Sequence, residues 1–61
     1  MFTSEIKWGE GTRTITQKDA VSLLHWLTDL YDATGQMPDV FNSEGNLVSI
    51  RYNERGRAFF A

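Results

Sequence analysis

The sequence predicts an α+β domain: one helix over about residues 17–34 packs on an antiparallel sheet, in the order strand, possible short strand, helix, then a C-terminal three-strand meander. Ala20, Leu23, Leu24, Leu27, Leu30 and Tyr31 recur at spacings of three and four, which makes one apolar stripe on a helix. The opening run Phe2-Thr3-Ser4-Glu5-Ile6-Lys7-Trp8 alternates at period two instead, as a half-buried strand does. Near the end, Asn42-Ser43-Glu44-Gly45 and Asn53-Glu54-Arg55-Gly56 repeat one turn formula, with Asn first and Gly fourth, suited to a type I turn closed by a glycine at positive φ.

In the first strand Phe2, Ile6 and Trp8 fall on one side and Thr3, Glu5 and Lys7 on the other. Gly9-Glu10-Gly11 punctuates it, and Arg13-Thr14-Ile15 is either a short return strand or an extended lead into the helix. Thr16 is the expected N-cap, with Asp19 three residues later beside the positive helix end. Ser22, His25, Asp29 and Asp32 face away from the stripe, and Gly35 followed by Pro38 stops the helix. Val40-Phe41 opens a strand before the first turn. Leu47 to Tyr52 is expected to be the longest strand, with Val48, Ile50 and Tyr52 on one face and Leu47, Ser49 and Arg51 on the other. Arg57 to Phe60 returns beside it.

Sixty-one residues allow one domain, spanning 1–61. A core this size contributes only ~3 to 5 kcal/mol of net stability. Cysteine is absent, so disulfides and thiolate metal sites are excluded, which leaves oligomerisation as a staple and a homodimer as a possible partner state. A hydrophobic content of 41% argues for a folded chain. The start lacks a basic segment leading into an apolar one, and no apolar run approaches bilayer length, so the expected location is cytoplasmic. The pI near 5.1 gives no general attraction to nucleic acid. Charge is nevertheless uneven: residues 1–35 hold three cations against five anions, and residues 46–61 hold three arginines against Glu54.

No catalytic set is expected. Ser22, His25 and Asp29 share a helix face, but a nucleophile needs an aligned base and an oxyanion site, and a convex solvent face offers neither. His25 with Asp29 and Asp32 supplies one imidazole and two carboxylates, short of a normal zinc site. Gly9-Glu10-Gly11-Thr12 does not open a helix, as phosphate loops do. No cofactor or metal is therefore expected. Arg51, Arg55 and Arg57 gather beside Tyr52, Phe59 and Phe60, the ingredients of a single-strand nucleic-acid platform, although alternation assigns Tyr52 to the core and charged edges also serve to block stray strand pairing. Trp26 lies at the margin of the helix stripe, and both Trp26 and Phe60 are readable as core closure or as interface.

Gly45-Asn46-Leu47-Val48-Ser49-Ile50-Arg51-Tyr52-Asn53 resembles a short stretch in dioxygenases of the γ-butyrobetaine and trimethyllysine type, where a glycine turn leads into an Arg-aromatic-Asn strand. That resemblance implies a shared hairpin. The iron site of those enzymes takes two His and a carboxylate, and this chain has one His, so oxygenase activity does not carry over.

The expected function is a non-enzymatic protein–protein interaction module, of the kind that phage or plasmid accessory proteins use to bind and modulate a host protein complex, with Arg51, Arg55, Arg57, Phe60 and Trp26 as contact residues. The alternative is single-stranded nucleic-acid binding through the C-terminal arginine and aromatic ribbon.

Overall fold

The computed structural model describes residues 1–61, and its longest ladder is the hairpin of β1 (Phe2–Trp8) and β2 (Gly11–Gln17). Gly9 turns the chain at φ 62 while Glu10 stays at negative φ, the combination that a two-residue type II′ loop requires and that only glycine adopts cheaply in the first position. Such a loop makes Trp8 and Gly11 a hydrogen-bonded pair. The alternation that follows points the backbone groups of Lys7, Glu5 and Thr3 away from β2, and those of Thr12, Thr14 and Thr16 away from β1.

β2 is thus a full strand, and this moves the helix start. Thr16 and Gln17 sit in the ladder opposite Thr3 and Phe2, so Thr16 is not the cap and Gln17 is not helical. The helix α1 runs Ala20–Thr34, and Asp19 caps it, its Oδ1 accepting from the Ser22 N–H at 2.8 Å. Cross-strand pairing holds residues 16 and 17, and Asp19 is at least as good a cap as Thr16 would have been. The Ser22 N–H holds the exposed Asp19 carboxyl below its ordinary pKa. A depressed carboxyl contributes its stability above the unfolded value and loses it as pH falls through the folded one. Asp19→Asn keeps an acceptor but cannot titrate. It is expected to melt near the wild-type temperature at pH 7 and to show a shallower fall in Tm on acidification below about pH 4; superimposable pH profiles would refute this role.

The helix ends as its sequence indicates, with Gly35 at φ 74 donating its N–H to the Tyr31 carbonyl at 2.9 Å. Leu23 and Leu27 are fully buried, and Leu24 and Trp26 pack at the margin of the same cluster. β3 (Val40–Phe41) pairs with β1, placing Val40 opposite Ser4 and Phe41 opposite Thr3. The run from Leu47 to Tyr52 is not one longest strand. It divides at Ser49 into β4 (Leu47–Val48), paired with β3, and β5 (Ile50–Tyr52), paired with β6 (Ala58–Phe60). The two halves serve different neighbours, and the Ser49 carbonyl continues the second ladder by accepting from Ala61 N–H at 3.1 Å. The result is a four-strand sheet ordered β2-β1-β3-β4 continued by a two-strand ribbon, β5-β6.

Both meander turns close alike. Asn42 Oδ1 accepts from the Glu44 and Asn46 N–H groups, Asn53 Oδ1 accepts from those of Arg55 and Arg57, and Gly45 and Gly56 take φ 81 and 76. The Asn side chain imitates a backbone turn, which is why this residue opens each one.

The ribbon curls back over the helix side. In a flat sheet three strand spacings, roughly 14 Å, would separate β1 from β6; the Phe2 and Phe60 rings instead lie 6.0 Å apart. Ala58 fixes the fold-back, its N–H donating at 3.0 Å to Thr28 Oγ1, whose hydroxyl donates in turn to the Leu24 carbonyl. Ile6, Leu23, Leu27, Val40 and Ala58 are the buried apolar residues, joined by Ser4, whose hydroxyl finds no partner. Trp8 shares the inner face with Ile6 but lies at the turn end of the hairpin, 65% exposed, with the Arg13 guanidinium 5.5 Å above its ring. No helix is long and apolar enough to cross a membrane.

Candidate interaction surfaces

Strand alternation decides what the helix leaves uncovered. On the outer sheet face Phe41 stands opposite Leu47 across β3 and β4, and Arg51 stands opposite Phe59 across β5 and β6. Leu47 is 64% exposed, and Phe41, Arg51 and Phe59 are exposed beside it. Of this patch only Arg51 is among the contact residues expected from the sequence, with Phe59 named beside it; Phe41, like Leu47, is there only a strand residue. Its signal was the first turn: Phe41 and Leu47 flank Asn42 and Asn46, which close it, so turn geometry alone sets them opposite each other.

A second surface forms where the helix end meets the second meander turn. Asp29 and Asp32 on the helix and Arg55 and Arg57 on the ribbon line one open groove of about 940 Å³, with Tyr31, Met37 and Glu54. Acidic helix face and arginine ribbon, separate in the sequence reading, therefore share walls of one depression. Tyr31 forms part of its floor. The Tyr31 ring packs against Tyr52 with centroids 4.7 Å apart and the planes tilted by 36°, and it passes over Gly56 so closely that a Cβ there would meet two ring carbons at 3.2 Å. Burial raises the Tyr52 hydroxyl above its ordinary pKa, with the neighbouring Tyr31 adding to the shift, and no partner satisfies that hydroxyl.

The five residues singled out from the sequence thus fall in three places. Arg55 and Arg57 line the groove, Arg51 is on the outer face, and Trp26 and Phe60 lie on the helix side. Trp26 is half-buried against the core cluster, and Phe60 packs on Phe2 while remaining 41% exposed. Ser22, His25 and Asp29 are exposed on the helix, and no three His, Asp or Glu side chains converge as a metal cluster.

Compared with family models, curated proteins and solved structures, the chain finds no match.

Proposed function

We propose that the protein is a non-enzymatic protein-binding module and that its contact surface is the outer sheet face around Phe41, Leu47, Arg51 and Phe59. The observation that supports this reading is the pairing of exposed apolar residues on a face that the chain's only helix does not cover. Aromatic side chains and arginine are enriched at protein interfaces, and burying such a patch is favourable by roughly 25 cal/mol per Å² of apolar surface. A photo-crosslinking residue replacing Leu47 is expected to give a discrete adduct with a second protein in cells of the source organism, and the same residue replacing His25 none. Absence of an adduct from position 47, with the crosslinked variant folded, refutes the reading.

One observation favours a second reading. Arg51 directly opposite exposed Phe59 places a cation beside an aromatic face, as single-stranded nucleic acid requires. Titration with short oligonucleotides at low salt decides it: binding that weakens steeply as salt rises supports it, and no binding to any oligonucleotide removes it.

A further inference from the structure

We propose that β2 is a homodimerisation edge, along which two copies pair their β2 strands antiparallel about a two-fold axis at Thr14 and join their sheets into one. The inference uses a surface separate from the outer-face patch and stands independently of the proposed function.

The fold treats its edges unequally. Past the end of β3, the edge of β1 is closed by the Gln36 carboxamide, which accepts from Lys7 N–H at 3.2 Å and donates to the Lys7 carbonyl at 3.4 Å. The outer edge of β6 is closed at Ala58 by Thr28 Oγ1. β2 has no such closure: β1 is its one ladder partner, and none of the turn, loop or cap hydrogen bonds engages it. The outward backbone groups of Thr12, Thr14 and Thr16 are left to solvent along a strand of seven residues without proline or bulge. Threonine and isoleucine favour extended backbone, and an unguarded edge of this kind is a template for another strand.

A second copy fits it by registry and charge. Pairing Thr14 with the partner's Thr14 uses the whole of β2. It sets Thr12 opposite the partner's Thr16 and Thr16 opposite the partner's Thr12, giving three pairs that each exchange two hydrogen bonds. On the inner face the same register sets Arg13 opposite the partner's Ile15, so no like charges oppose each other; a shift that set Arg13 against the partner's Arg13 would be penalised. Arg13 is also drawn toward its own Trp8 ring, which takes the one charged side chain of the strand toward the hairpin end. The contact is isologous and consumes both open edges, so assembly stops at two copies. With only 6 of 61 residues buried, the monomer has the thin core for which association is a common remedy.

Sedimentation across a concentration series, combined with amide hydrogen exchange, tests the proposal. The expected result is a concentration-dependent dimer in which the Thr12, Thr14 and Thr16 amides are protected and lose protection on dilution. Thr14→Pro removes the central donor without touching the β1 ladder, and it should weaken dimerisation by on the order of tenfold or more. Should that variant fail to fold, Thr12→Lys with Thr16→Lys opposes like charges across the axis on exposed positions. That pair should be monomeric and should re-form a dimer only when mixed with Thr12→Glu with Thr16→Glu. A monomer at every concentration, a dimer whose three amides exchange freely, or charge variants that dimerise like the wild type overturns it.

Discussion

Leu27→Ala is expected to leave much of the chain unfolded at 25 °C. Leu27 and Leu23 are completely buried at the contact between helix and sheet, and they are the largest side chains of a core with few fully buried members. Truncating a buried leucine costs about 2 to 5 kcal/mol, since the transfer term and the cavity term add. A domain of this size holds ~3 to 5 kcal/mol in total, so one substitution consumes most of it, and the better helix propensity of alanine returns only a few tenths. Urea unfolding followed by far-ultraviolet circular dichroism provides the measurement, with Val21→Ala as the control because Val21 is 66% exposed on the same helix. A loss below ~1 kcal/mol at Leu27 would mean that the helix is not anchored by this contact.

The paired turns yield the second large effect, because their sequences match and their surroundings do not. Gly45 and Gly56 both sit at positive φ, so alanine at either is strained by about 1 to 2 kcal/mol. A Cβ at Gly45 meets nothing within 4 Å, whereas one at Gly56 strikes Tyr31 at 3.2 Å. Tyr31 cannot retreat freely, since it also packs against the Tyr52 ring, with centroids 4.7 Å apart. Gly56→Ala is therefore expected to cost about 1 kcal/mol more than Gly45→Ala, the usual scale of a forced repacking. Equal losses in parallel thermal melts would show that the aromatic pair yields without resistance.

Wherever one local pattern decided the outcome, the fold was legible in the sequence. The leucine stripe, the Gly35 stop, the alternation of residues 2–8 and both Asn-led turns are such cases. Partners distant in sequence decided the rest. Thr16 has the chemistry of a cap, but β1 claims it as a strand residue; Ser49 reads as mid-strand, yet β3 and β6 divide the run around it. The candidate surfaces were legible to a lesser degree for the same reason. Alternation correctly separates Tyr52 from Arg51, but only the fold-back of the ribbon brings Arg55 and Arg57 beside Asp29 and Asp32, and no spacing in the sequence encodes that bend.

The Gln36 carboxamide has a consequence for how the chain finds its alignment. β3 has only two residues, and a two-residue ladder specifies its position on β1 poorly: sliding it by two residues keeps every side chain on its proper face. A slide that moved Gln36 past Lys7 toward the Gly9 turn would break both hydrogen bonds that its carboxamide makes there, at 3.2 and 3.4 Å. Alignment is thus fixed at two separated points, much as a vernier resolves a position that one coarse scale leaves ambiguous. Gln36 and Lys7 are 29 residues apart along the chain, with β2 and the helix between them, so this second point ties the segment after the helix back to the first strand.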